Sequence, residues 1–149
     1  MKPDFMLYDA NNKLVLVAEV KATRSEDPQW AAKLRRNLTA QGLLPEAQFF
    51  LLVLPEHVYL WKDAPSAQQV EPNFITDTRQ LLKPYLAHST IDTSRLSESG
   101  LELAVRSWLS DLTNRSLRKS ATADETKLLK DSGLADRIRE GSLVYGDSL

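Results

Sequence analysis

Apolar and polar positions change rhythm several times along this chain. Residues 3–9 alternate loosely and end in the turn cluster Asp9-Ala10-Asn11-Asn12. Leu14 to Lys21 (LVLVAEVK) is rich in β-branched residues and predicts a strand, paired with the first segment as an antiparallel hairpin through the Asn-Asn turn. After a loop at Thr23 to Glu26 the period lengthens to that of a helix over 28–41, with Asp27 as its cap and Pro28 at its first position. Trp30, Ala31, Leu34 and Leu38 form its expected buried stripe, with Trp30 in the core, and Gly42 ends it. Phe49 to Leu54 is apolar throughout, as in a strand covered on both faces. His57 to Trp61 reads as one more strand, expected at the sheet edge, where Tyr59 and Trp61 serve either packing or contact. A helix between two strands implies a right-handed parallel crossover. Segments 14–21 and 48–54 are therefore expected to lie side by side and parallel, with helix 28–41 over one face.

The second half is less regular. Residues 63–77 read as loop, 78–86 as a short helix interrupted at Pro84, and 89–99 as a polar connection. Leu101, Ala104, Val105, Trp108, Leu109 and Leu112 fall on one helical face, with Trp108 expected to pack. Residues 123–140 read as one or two short helices broken near Gly133. The expected fold class is α/β in a single domain over 1–149. A small mixed sheet in 1–62, with hairpin, crossover helix and parallel strand, carries a mainly helical extension over 63–149. The stripe from Leu101 to Leu112 needs a cover, supplied either by that sheet or by a second copy of the chain as a homo-oligomer.

Composition narrows the function classes. The 149 residues suit one domain, and a net charge of −1 gives no global field toward nucleic acid, so any such contact needs a local basic surface. The absence of cysteine removes disulfides and thiolate metal sites. His57 and His88 are the only imidazoles, too few for a multi-histidine zinc centre, and His57 reads as a surface residue. The N-terminal residues carry no signal-peptide pattern and no apolar run approaches membrane-spanning length, so the expectation is a cytoplasmic protein without membrane contact.

The candidate chemistry lies in the hairpin. Glu19 and Lys21 are two apart on a strand and share a face, while Val20 points into the core. Pairing of the hairpin brings Asp4 across from the end of the second strand, within reach of the same point. Two carboxylates at one point suit Mg²⁺ or Mn²⁺, and a lysine beside them can hold the attacking water and offset phosphate charge. The plainer alternative is a surface ion pair between Glu19 and Lys21, contributing under about 1 kcal/mol, with Asp4 merely solvated. Lys33, Arg35 and Arg36 read either as a solvated helix face or as a phosphate track, and Arg115, Arg118 and Lys119 as a solvated helix end.

Pro3-Asp4, then fourteen residues, then Glu19-Val20-Lys21, followed by a helix and an apolar strand, resembles the PD-(D/E)XK nuclease superfamily, also called restriction-endonuclease-like. The nearest variety is the small nuclease domain at the start of type I restriction motor subunits and in other bacterial proteins. The resemblance covers residues 2–62. It implies a metal-dependent endonuclease, a hydrolase of phosphodiester bonds in nucleic acid, with DNA the expected substrate. Asp4 and Glu19 would bind Mg²⁺ or Mn²⁺, the Val20 carbonyl would add a ligand, and Lys21 would complete the catalytic set with Asp4 and Glu19. Gln29, or else Gln41, would match a glutamine that some relatives carry on the following helix, and Gln29, Lys33 and Arg36 would face the nucleic acid. A second possibility within the resemblance is a nucleic-acid-binding or protein-binding module that no longer cleaves. In the family a helix and a strand precede the Pro-Asp strand, and that helix often brings another acidic residue. Here Met1 and Lys2 alone stand before Pro3. The helix at Leu101 to Leu112 is expected to take over part of that role.

Overall fold

A computed structural model of the protein describes residues 3–23, 27–40, 42, 44–86, 97–114 and 123–145. Six strands form one mixed sheet in the order β5-β4-β3-β2-β1-β6. Strands β1 (Phe5–Tyr8) and β2 (Leu14–Val20) make the expected hairpin, with Phe5 facing Ala18. Asp9 shapes its turn: one carboxylate oxygen accepts from the N–H groups of Asn11 and Lys13, and Asn12 takes a positive φ of 64°. Helix α1 (Pro28–Ala40) then crosses to β3 (Phe49–Val53), which lies parallel to β2 with Val20 beside Val53. Asp27 caps the helix by accepting the Trp30 N–H, and Gly42 leaves it at a φ of 65°.

Strands β2 and β3 are buried on both faces. On one side Val17, Phe50, Leu52, Tyr59 and Trp61 pack beneath α1. On the other, Leu16, Val20, Leu51 and Val53 pack against the later helices, through Leu101, Val105, Trp108 and Leu109 of α3 (Glu98–Asn114). The stripe expected to need a cover thus finds it on the sheet. The short helices α2 (Thr78–Leu82), α4 (Ala123–Thr126) and α5 (Leu134–Ile138) complete that layer. A 3₁₀ turn over Lys83–Tyr85 follows α2 at Pro84, and a π turn over Lys127–Asp131 follows α4. Trp108 is fully buried and donates its indole N–H to Glu125 at 3.0 Å. No helix among the described residues is long and apolar enough to cross a membrane.

Four expectations are corrected. The second half is mainly helical, as expected, but β5 (Phe74–Asp77) and β6 (Ser142–Tyr145) also join the sheet. β5 falls within the expected loop 63–77 and pairs with β4 (His57–Lys62). β4 is therefore an interior strand rather than an edge, and Tyr59 and Trp61 are core. The buried positions of α1 are Ala31, Ala32 and Arg35, whereas Trp30, Leu34 and Leu38 are only half-buried. Arg35 belongs to neither a solvated face nor a phosphate track. It is 3% exposed, with its guanidinium 5.7 Å from the ring centres of both Phe50 and Trp61. It donates to the carbonyls of Ala64, Pro65 and Gln68 at 3.0, 3.0 and 3.2 Å, closing the 63–70 loop over the helix. Burial lowers its pKa. His88, Gln41, Arg115, Arg118 and Lys119 lie outside the described residues.

β6 docks on β1 antiparallel, Phe5 facing Tyr145, and its approach requires a glycine. A Cβ on Gly141 would stand 1.9 Å from the Tyr8 carbonyl oxygen, a backbone atom that cannot swing aside. Gly141→Ala is expected to lower stability by about 2 kcal/mol or more, read from the urea midpoint. Arg35→Ala leaves three carbonyls without their donor and is expected to cost about 3 kcal/mol. Arg35→Lys should recover little of it in the same measurement, since an ammonium lacks the planar fork that reaches all three while lying between two rings.

Candidate functional site

The hairpin register decides what meets at the end of the sheet. With Phe5 opposite Ala18, the next step sets Asp4 opposite Glu19. The Asp4 carboxylate accepts the Val20 N–H at 2.8 Å, which turns it back over the end of β2. Glu19 shares its sheet face with Val17 and lies beside Leu52 of β3, so apolar neighbours and α1 enclose it. It is 1% exposed, and its Oε1 has no hydrogen-bond partner in the protein. Lys21 is two residues on, and its ammonium lies 3.9 Å from Glu19 Oε2 with the side chain 27% exposed. Asp4, Glu19 and Lys21 therefore do converge. Val20 points its side chain to the opposite, fully apolar face, leaving its backbone at the site.

The electrostatics are those of two acids held together. Burial, then repulsion from Asp4, then a hydrogen bond with it, raise the Glu19 carboxyl from 4.5 to about 8, while Lys21 pulls the other way. Burial and the neighbouring acid outweigh the lysine because the ammonium stands at the outer limit of ion-pair distance and is partly in water. Without a cation, the raised pKa favours a carboxyl pair that keeps a proton toward neutral pH. A surface ion pair does not describe this arrangement, since one partner is buried and faces a second acid.

A hard divalent cation fits these donors. Two carboxylates meet, one of them with a buried oxygen left unpartnered, and oxygen donors are what Mg²⁺ and Mn²⁺ take. Among the described residues there is no group of three or more His, Cys, Asp or Glu side chains able to hold an ion. The protein donors on offer are thus two carboxylates and the backbone, a small set of the kind that leaves Mg²⁺ several waters.

The helix residues are less well gathered. Gln29, Lys33 and Arg36 follow one another at spacings of four and three, so they share a stripe of α1. Gln29 is in the first turn, and Arg36 is about 10 Å further along the axis. Gln29 and Lys33 are exposed, whereas Arg36 is half-buried and donates to Gln69 and Asn37 at 3.2 and 3.4 Å. Arg36 is thereby drawn toward the 63–70 loop.

One residue at this end of the sheet escaped the sequence reading. Glu98, in the first turn of α3, accepts the Ala22 N–H at 3.0 Å, one residue beyond Lys21. An acid in a first helical turn is ordinary dipole compensation, and a contact across 76 positions leaves no local signal. No family model, no curated protein and no solved structure matches the chain.

The raised Glu19 pKa has a stability consequence with a definite sign. The folded protein keeps a proton that the unfolded chain releases above its ordinary value, so this contribution is full below about pH 4.5 and is lost as pH rises through about 8. Without divalent ions, the stability of the wild type is expected to decline across that window. Glu19→Gln, which has no proton to lose, should flatten the decline in urea titrations run at successive pH values. An identical slope in both proteins would show that Glu19 titrates normally.

Proposed function

We propose that the protein is a Mg²⁺- or Mn²⁺-dependent nuclease that hydrolyses phosphodiester bonds in nucleic acid, with DNA as the expected substrate. The observation that carries this is the buried Glu19 carboxyl pressed against Asp4, one oxygen unpartnered, with the Lys21 ammonium alongside. Buried like charges are costly, and a strongly shifted acid beside a second acid and a lysine is the signature of a functional site.

The topology supports a restriction-endonuclease-like core. β1 and β2 are antiparallel, β2 and β3 parallel, and α1 joins the last two. The family resemblance calls for a helix and a strand ahead of the Pro-Asp strand. Here β6 pairs antiparallel on the free side of β1, and α3 packs on the sheet face that α1 does not cover. Both come later in the sequence than the strands they support.

Asp4 and Glu19 would hold the cation, with the Val20 carbonyl beside them. A bound Mg²⁺ or Mn²⁺ supplies polarisation of the phosphoryl oxygen and stabilises its developing negative charge. Lys21 orients the attacking water and offsets charge on the phosphate, because its ammonium donates three hydrogen bonds and offers no lone pair to a cation. Gln29 and Lys33 face solvent on the first turns of α1, where a backbone phosphate could be met.

A second reading, a non-cleaving module of the same fold that binds DNA or a protein, draws on a different observation. Arg35 is buried and Arg36 is bound to Gln69 and Asn37, which leaves α1 with Lys33 as its exposed cation. That is a thin electrostatic footprint for gripping DNA, which favours the protein-binding form of such a module.

With Mn²⁺ present, the wild type should nick plasmid DNA. Glu19→Ala should lose both cleavage and Mn²⁺ binding. Lys21→Ala should lose about a hundredfold or more in rate while still binding Mn²⁺ by titration calorimetry. A wild type that binds Mn²⁺ and DNA but cuts neither DNA nor RNA would favour the non-cleaving module. No Mn²⁺ binding at millimolar concentration would remove the nuclease function altogether.

A further inference from the structure

Three successive backbone N–H groups at the site are each held by a different element. Val20 donates to the Asp4 carboxylate at 2.8 Å, Lys21 to the Val53 carbonyl at 3.0 Å, and Ala22 to the Glu98 carboxylate at 3.0 Å. The first two tie the end of β2 to its neighbouring strands. The third reaches past the sheet, since β2 stops at Val20 and both Ala22 and Thr23 are exposed. The Lys21–Ala22 peptide is therefore fixed on its far side by a side chain of α3. Its orientation sets the direction in which the Lys21 side chain leaves the backbone.

Glu98 is well placed to act as a fixed arm. Its helix is anchored by Leu101, Val105, Trp108 and Leu109, all fully buried. Ser97 caps that helix, accepting the Gly100 N–H at 3.0 Å on its side-chain oxygen and the Leu101 N–H at 3.0 Å on its carbonyl. An acidic side chain in the first turn also complements the helix dipole.

We propose that Glu98 is a positioning residue for the Asp4–Glu19–Lys21 site. It clamps the Lys21–Ala22 peptide so that the Lys21 ammonium stays over the carboxylate pair, a role that rests on the nuclease function proposed above. It acts through the backbone and not as a donor to the cation. Misplacing a reacting group by 1 Å can cost about a hundredfold in rate. A single exposed hydrogen bond leaves the correct geometry partly populated when lost, so the expected loss is nearer tenfold.

The test compares wild type with Glu98→Ala and Glu98→Gln, since glutamine keeps a carbonyl oxygen to accept the Ala22 N–H. Three quantities are read: Ala22 amide hydrogen exchange by NMR, Mn²⁺ affinity by titration calorimetry, and kcat with KM for DNA cleavage. Glu98→Ala is expected to speed Ala22 exchange and lower kcat about tenfold, with KM and Mn²⁺ affinity within about twofold of wild type. Glu98→Gln should restore both exchange and kcat. Unchanged Ala22 exchange in Glu98→Ala overturns the proposal. So does a Glu98→Gln protein as impaired as Glu98→Ala with Mn²⁺ affinity down about tenfold, which would make Glu98 a ligand through its charge. If the wild type cuts nothing, the nuclease function falls separately. The clamp is then decided by Ala22 exchange together with the Lys21 ammonium NMR signal. A change in both supports it, and a change in neither or in one alone overturns it.

Discussion

Two parallel strands buried on both faces set the terms for everything else in this protein. β2 and β3 can be parallel only if the chain leaves the sheet and returns, and α1 is that return. The crossover covers one face. The opposite face, with Leu16, Val20, Leu51 and Val53, needs a second layer, which α3 and the short helices supply from far along the chain. Glu19 sits inside this arrangement at the only acidic position of β2. Its burial is a consequence of strand position, because Leu52 of β3 lies on one side of it and Asp4 faces it from the other. A carboxyl there cannot relax into water, so its energy depends on what Asp4, Lys21 and any arriving cation do.

The elements readable from sequence were those whose pattern is local and long. The hairpin declared itself by its β-branched run and Asn-Asn turn, α1 by Asp27, Pro28 and Gly42, and β3 by unbroken apolarity. β5 and β6 are four residues each, too short for a period to show, and β5 follows Pro72 and Asn73 in a stretch rich in turn residues. Missing β5 also moved β4 to the edge, although Val58 to Trp61 are as buried as any interior strand. The buried face of α1 departs from its apolar pattern for a physical reason. Apolar side chains were assigned to the core and charged ones to solvent, yet Arg35 carries its charge inward and satisfies it with three carbonyls and two aromatic faces. Trp30, Leu34 and Leu38 are half-buried and pack against the same cluster from its margin.

At the site, sequence reached as far as one hairpin could carry it. Asp4, Glu19 and Lys21 follow from strand alternation and a short turn, so their meeting is a local matter. Glu98 depends on how a helix 76 residues away is laid across the sheet, and no spacing rule contains that. Gln29, Lys33 and Arg36 stand between these cases. Their common stripe was legible, but the pull of Gln69 on Arg36 comes from a loop whose course only the tertiary fold determines.

The proposed chemistry also follows from a competition at Glu19. Without a cation, the two carboxyls reduce their repulsion by keeping a proton, and the buried Oε1 remains unpartnered. Under the proposed function a divalent ion would offer the same relief with twice the charge and with coordination for the idle oxygen, and would bind only after that proton leaves. On that proposal the proton is a placeholder, held because burial and the neighbouring acid raise the Glu19 carboxyl. Lys21 keeps the balance from tipping further toward protonation, since its ammonium favours the ionised acid from 3.9 Å. On the same proposal, removing the lysine should disturb the resting charge of the pair as well as the positioning of water, and the backbone that carries Lys21 is tied at both of its peptides.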